Sequence, residues 1–206
     1  MNLLLDTSYN QILALYDDEG QIRAQRKLAG QRSSSQLHQA LHELFQEAGV
    51  AEGSVPVVSY VAGPGFYTGL RVGLGVADMF RLHGAQVREV YSHELPLLLG
   101  ERDYCWMTKA YRGEVFLAEA VGGNITTRLV GQKEYVHSAL PSRIYIHDNE
   151  ALDDQLRAKV QSRPLVETQK ILLERWGEIH RLLGPQEGPR PLLYFRTAEE
   201  EFRPNP

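Results

Sequence analysis

Apolar residues fall in short blocks along the first part of the chain. Leu3, Leu4 and Leu5 form a run that Asp6-Thr7-Ser8 stops. Residues 12–16 form a second run, and Asp17-Asp18-Glu19-Gly20 after it is a hairpin signal. Ile22, Ala24 and Leu28 then recur at even spacing, interrupted by Arg26, so the pattern predicts three strands in a meander. The period then changes. Leu37, Leu41, Leu44, Phe45 and Ala48 recur at helical spacing, with Ser33 and Gln36 ahead of them at capping-box spacing and Gly49 suited to the exit. Residues 57–62 are an unbroken apolar and β-branched run apart from Ser59, the pattern of a strand buried on both faces. Gly63-Pro64-Gly65 ends it. A second helix is predicted over 68–83 and a strand over 87–91.

The second half repeats the theme. Strands are predicted over 104–110, 115–121 and 125–130, the last two joined at Gly122-Gly123-Asn124. Ile144-Tyr145-Ile146 is short and apolar, and 151–160 is a charged helical piece. Leu165-Val166 precedes a helix over 168–183, which Gly184-Pro185 stops; the residues beyond are rich in proline and acid and read partly as loop. Two meanders, each followed by mixed α/β structure, predict a duplicated, two-lobed α/β fold. That is the plan of the actin-like, sugar-kinase and Hsp-type ATPases. The division expected is 1–100 and 101–206.

The second helix carries more than its period. With Arg71 at zero on a wheel of about 100° per residue, Asp78 falls near about −20° and Arg81 near about −80°. Every other position from Leu70 to Phe80 is apolar or glycine. One sheet covers an apolar arc of a little over ~100° on a surface helix, so the remainder must meet something else. Either the helix is sandwiched within its own domain, or one face meets the sheet and another a partner protein. Gly69, Gly73 and Ala77 form a stripe of small residues that permits close backbone approach. Glycine inside a helix costs about 1 kcal/mol against alanine, which close packing would offset.

Candidate chemistry is sparse. Asp6-Thr7-Ser8 after the first strand reads as half of a phosphate cradle or as a hydrogen-bonded turn, and Gly63 and Gly65 before a helix could present amides to an anion. Neither a P-loop nor a dinucleotide-binding glycine motif occurs. His38 and His42 have metal-ligand spacing, but Glu43 points off their face and a zinc site needs a third ligand; the pair reads as solvated or at an interface. His93 stands alone. Cys105 reads as a buried thiol, Ser33 to Ser35 as capping residues, and Glu199, Glu200 and Glu201 as a solvated face. No metal site, catalytic residue or cofactor is expected.

Composition narrows the class. The 22 basic and 26 acidic side chains leave a net charge of −4, which argues against a nucleic-acid-wrapping module. One cysteine excludes an internal disulfide and suits a reducing compartment. The start of the chain lacks a charged leader and no stretch reaches membrane length, so a cytoplasmic protein without a membrane segment is expected.

The run Gly63-Pro64-Gly65-Phe66-Tyr67-Thr68-Gly69-Leu70-Arg71-Val72-Gly73 resembles the G-P-G-S-F-T-G-[LV]-R-[IV]-G signature of the TsaB (YeaZ) family. Leu4 to Ser8, Arg112-Gly113-Glu114-Val115-Phe116 and Leu193-Tyr194-Phe195-Arg196 extend the resemblance over nearly the whole chain. It implies a two-lobed actin-like fold. It also implies an accessory, non-catalytic role in forming N6-threonylcarbamoyladenosine beside the anticodon of tRNAs that read codons beginning with adenine. The implied partners are a TsaD-type catalytic subunit and, through the complex, a TsaE-type ATPase. A homodimer is implied for the chain alone, and tRNA is met only through the complex. The family pairs through its first two helices, which here are 33–48 and 68–83. Leu37, Leu41, Phe45, Gly69, Val72, Gly73, Val76 and Phe80 are therefore the candidate interface, and Asp6, Thr7, Ser8, Gly63 and Gly65 the candidate nucleotide contacts. Three residues depart from the pattern: Phe66 stands for the usual serine, and Lys109 and Tyr111 for an aspartate and an arginine. These changes weigh against nucleotide binding. The competing readings are a small actin-like ATPase or kinase and, from the family's old glycoprotease label, a metalloprotease.

Overall fold

A computed structural model describes residues 1–28, 33–131, 143–148, 150, 152–160, 163–184, 186 and 188–195, without the side chains of 33–35, 112 and 159. The expected cap at Ser33, Pro185, Arg196, the side chain of Arg112 and the run Glu199, Glu200 and Glu201 lie outside what it describes.

The first sheet has the order β3-β2-β1-β4-β5, built from β1 (Asn2–Asp6), β2 (Gln11–Tyr16), β3 (Ile22–Leu28), β4 (Val57–Gly63) and β5 (Gln86–Tyr91). β1 to β3 form the antiparallel meander; β4 and β5 lie parallel to β1. β1 is central, and all five of its residues are buried, as a strand covered on both faces requires. A register shift after Leu15 pairs Tyr16 with Ile22 and Leu15 with Ala24. The bulge changes the parity of β3, so Ala24 is buried and Ile22 stands exposed.

Two sixteen-residue helices cover one face of this sheet: α1 (Ser33–Ala48) on β2 and β3, and α2 (Tyr67–Leu82) on β4 and β5. They meet each other where Phe45 lies against Phe80, centroids 6.0 Å apart. Arg26 of β3 pairs with Glu47 of α1. On the opposite face Trp176 packs on Tyr16, centroids 5.8 Å apart.

The second sheet repeats the connectivity. Its order is β10-β9-β6-β7-β8, from β6 (Tyr104–Lys109), β7 (Glu114–Val121), β8 (Asn124–Gly131), β9 (Ile144–Ile146) and β10 (Leu165–Glu167). β6 to β8 are antiparallel, and β9 and β10 run parallel to β6. α4 (Asp154–Val160) brings Leu156 and Val160 onto Cys105, Met107, Ile144 and Ile146. On the other face the Trp106 indole donates to Thr168 Oγ1 (3.1 Å), and that hydroxyl donates to the Ile146 carbonyl (3.0 Å). The fold is α/β and duplicated, as the pattern predicts.

Two structural details differ from the pattern. A short helix, α3 (Leu95–Leu98), follows β5, and the single helix expected over 168–183 is broken at Arg175 into α5 (Thr168–Glu174) and α6 (Trp176–Leu183). The break matters because the compact units are Met1–Tyr91 with Arg175–Pro206, and Ser92–Glu174. The chain thus divides at 91 and again at 174, not once at 100. The reason is packing. α6 returns to the first sheet through Trp176, whereas Tyr104 of the second sheet donates to the His93 carbonyl (2.7 Å) and holds 92–94 with the second unit.

Candidate functional site

The site begins where β1 and β4 end. Asp6 is 1% exposed, and its Oδ1 accepts from the Ser8 amide (3.0 Å) and the Ser8 hydroxyl (2.6 Å). This is an Asx-type turn, the local arrangement that an aspartate with a following hydroxyl favours. Thr7 Oγ1 donates to the Gly69 carbonyl in the first turn of α2 (2.8 Å), and the Phe66 amide donates to the Ser8 carbonyl (3.0 Å). A Cβ at Gly65 would stand 2.7 Å from the Ser8 carbonyl oxygen, one at Gly69 2.1 Å from that of Thr7, and one at Gly73 2.4 Å from Thr7 Oγ1. Only glycine lets α2 lie this close to the β1 turn.

A further segment closes the other side. Gly63 has φ +136°, and a Cβ there would lie 2.3 Å from the Leu193 carbonyl oxygen. The Leu193 amide donates to the Ala62 carbonyl (2.8 Å), the Gly65 amide to the Leu193 carbonyl (3.2 Å) and the Phe195 amide to the Gly65 carbonyl (3.3 Å). Phe66 is wedged between Tyr9 and Phe195, with centroids 5.2 Å from each, and Tyr67 lies on Tyr194 at 4.9 Å. The departure at Phe66 therefore fills an aromatic cluster.

The structure brings Asp6, Thr7, Ser8, Gly63, Gly65, Gly69 and Gly73 together. The amides of Gly65 and Phe66 that an anion would need donate to protein carbonyls, so the arrangement is a closed turn between two strand ends. The small-residue stripe serves this close approach within the unit.

The other interface candidates require a correction. Leu37, Leu41, Phe45, Val76 and Phe80 are buried in the core of their own unit with Leu3, Leu5, Leu13 and Leu15. They hold the helices to the sheet and are not outward. Val72 is half-buried beside that core. The outward face of α2 is set by its charges: Arg71 and Arg81 are exposed, and so are Gly75, Met79 (38%) and Leu82 (87%). Arg81 pairs with Asp78, and Arg71 donates to the Tyr67 hydroxyl (2.8 Å). Gly75 and Leu82 were legible on the wheel, since both fall beside Arg71, just past the edge of the polar wedge. Glu89 had no such signal. It is 1% exposed on β5, its Oε1 accepts from Arg81 (3.2 Å), and burial raises its carboxyl above the usual range despite the attraction of Arg81.

The remaining candidates have structural settings. His42 Nδ1 is 2.8 Å from Glu52 and its Nε2 2.9 Å from Gln46; His38 is exposed. Among the described residues, no three His, Cys, Asp or Glu side chains gather as a metal site requires. His93 sits between Trp106 and Phe116 at 6.2 and 6.3 Å. Burial pushes the Cys105 thiol up to about 12, which makes it a poor nucleophile. Lys109 ends β6 and Tyr111 is exposed just beyond it. No described helix is long and apolar enough to cross a membrane.

Comparison with known proteins bears on the family and the fold. Residues 22–122, just under half of the chain, match the family of TsaD, tRNA N6-adenosine threonylcarbamoyltransferase. No curated protein matches the chain. Among solved structures, YeaZ from Pseudomonas aeruginosa is 17% identical with a TM-score of 0.58, over 91% of this chain and 99% of that one. An uncharacterized protein with similarity to peptidase YEAZ, also from Pseudomonas aeruginosa, is 18% identical at 0.62, over 92% and 97%. The ethanolamine utilization protein EutJ from Carboxydothermus hydrogenoformans is 13% identical at 0.51, over 88% and 89%. The resemblance read from Gly63 to Gly73 is thereby borne out: residues 22–122 match the TsaD family, and the chain as a whole has the two-sheet, actin-like fold of the YeaZ structures.

Proposed function

We propose that this chain is a non-catalytic subunit that pairs with a TsaD-type protein in the formation of N6-threonylcarbamoyladenosine on tRNA. The observation that carries the reading is the outer face of α2. Its inner face is filled by its own sheet and by α1, yet Leu82, Met79 and Gly75 remain outward among Arg71, Asp78 and Arg81. Apolar positions ringed by charges form the central part and rim of a protein interface. The face is offered to the TsaD-type subunit and, in its absence, to a second copy. The closed turn at Asp6, Thr7, Ser8, Gly63 and Gly65 supports the non-catalytic part, because the Gly65 and Phe66 amides are taken by the Leu193 and Ser8 carbonyls and the Ser8 amide by the Asp6 carboxylate. A net charge of −4 supports tRNA being met through the complex, which a TsaE-type ATPase would also join.

The test is co-purification with a cognate TsaD-type protein, followed by titration. The double variant Met79→Asp, Leu82→Asp should keep its circular dichroism and lose binding by at least about a hundredfold. Unchanged affinity would remove α2 as the docking element. The isolated chain should hydrolyse no ATP above background; turnover that Asp6→Ala abolishes would make the protein an ATPase.

A further inference from the structure

Gln186 and residues 188–195, after α6, reach α2 at both of its ends, directly at its head and through β5 at its tail. At the head of the helix, Leu193 bonds to Ala62 and Gly65, Phe195 bonds to Gly65, and the rings of Tyr194 and Phe195 lie on Tyr67 and Phe66. At the far end the contact runs through Glu89. The Gln186 carboxamide accepts from the Glu89 amide (2.9 Å) and donates to the Glu89 carbonyl (2.8 Å), completing the open edge of β5 as a neighbouring strand would. The Glu89 carboxylate in turn holds Arg81 in the last turn of α2. Between these points the Tyr91 hydroxyl donates to the Pro191 carbonyl, and the Arg190 guanidinium lies 3.9 Å over the Tyr91 ring.

We propose that Gln186 with residues 188–195 is a latch that positions α2 from both ends, and so sets the face that the partner reads. This rests on the pairing role proposed above. The mechanics are specific. The Gly63 and Gly65 backbone lies between the Leu193 and Ser8 carbonyls with no room for a Cβ, so the turn that starts α2 cannot shift unless the strap lifts. Gln186 holds the Glu89 amide and carbonyl on the open side of β5, so losing it loosens that side of the residue on which Arg81 is anchored, while β4 still pairs the other. Gln186 and Tyr194 are thus positioning residues, remote from Met79 and Leu82.

Two variants of the full chain test this: Gln186→Ala, which removes the tail clamp, and Tyr194→Ala, which removes a ring contact at the head. Amide hydrogen exchange and affinity for the TsaD-type protein are measured on each, with Ile179→Val in α6 as a mildly destabilised control. Exchange at Glu89 in the first variant should accelerate about ten- to a hundredfold, as two lost hydrogen bonds imply, and exchange at Gly65, whose amide the Leu193 carbonyl of the same segment holds, should accelerate in both. Affinity should fall about tenfold in both variants and stay at the wild-type value in the control. Unchanged exchange at Gly65, or faster exchange with wild-type affinity, overturns the latch. A wild-type chain that binds no TsaD-type protein overturns the pairing role instead, and exchange at Gly65 then decides the latch by itself.

Discussion

Three glycines on α2 make the packing argument quantitative, because the same substitution should act in opposite directions on one helix. Gly75 is exposed, and a Cβ there meets nothing within 4 Å. Gly75→Ala should therefore gain helix propensity alone, about 1 kcal/mol. In a unit of this size that raises the melting temperature by roughly 2–5 °C. At Gly69 the methyl would stand 2.1 Å from the Thr7 carbonyl oxygen, a backbone atom. Relief needs a shift of about an ångström in a turn that Asp6, Ser8 and Phe66 all hold. Overpacking of this kind costs about 1–3 kcal/mol, and the Thr7–Gly69 hydrogen bond adds about 1 kcal/mol when strained. Gly69 lies in the first helical turn, where propensity offsets little, so Gly69→Ala should lose about 2–4 kcal/mol in all. Gly73→Ala meets the Thr7 hydroxyl, a side-chain atom that can rotate, and should fall between the two. The assay is urea unfolding followed by tryptophan fluorescence in a Trp106→Phe background, so that Trp176 reports the first unit alone. Gly69→Ala at wild-type stability, or Gly75→Ala below it, would refute the assignment of inner and outer faces.

Other outcomes follow from burial. Val76→Asp places a carboxylate in the core of the first unit and should cost about 3–5 kcal/mol, unfolding that unit without selectively abolishing pairing; a folded variant by circular dichroism would contradict this. Burial raises the folded-state pKa of Glu89 above its ordinary 4.5, so between the two values the native state retains a proton that the unfolded chain has released. Stability should therefore fall as pH rises from about 4.5 through the raised folded value and be level above it. Glu89→Gln should abolish that slope in denaturation series at several pH values; an unaltered slope would assign it to another group.

The strands and the helix faces differed in how far the sequence revealed them. β1, buried throughout, and β4, buried from Val58 on, were legible as near-continuous apolar runs, and α1 and α2 as periodic ones, because local pattern reports burial directly. The direction of α2 was harder. Its apolar arc is wide because the sheet and α1 both cover it, and width alone does not separate two coverings within a unit from one within and one without. Arg71 and Arg81 resolve the ambiguity, since exposed charges mark the solvent side. The glycine stripe was legible as close packing, whereas its neighbour, Thr7, was not, because that contact joins residues far apart in the chain. Glu89 and Gln186 were invisible for the same reason. A glutamate in a strand and a glutamine in a loop are ordinary until an edge strand and a return segment meet. The break at Arg175 escaped because the residues around it keep helical spacing across the interruption.

The return of Arg175 onward to the first sheet has a temporal side. When Tyr91 leaves the ribosome, all five strands of that sheet and both covering helices exist, yet α6 does not. Ser92–Glu174 must be made first, an interval of roughly 4–17 s at ~5–20 residues per second. Through that interval the side of the sheet that carries Tyr16 awaits Trp176. The nascent chain is then a finished half-sandwich with one bare apolar side, and a chaperone that shields such surfaces has its natural moment there, before translation reaches α6.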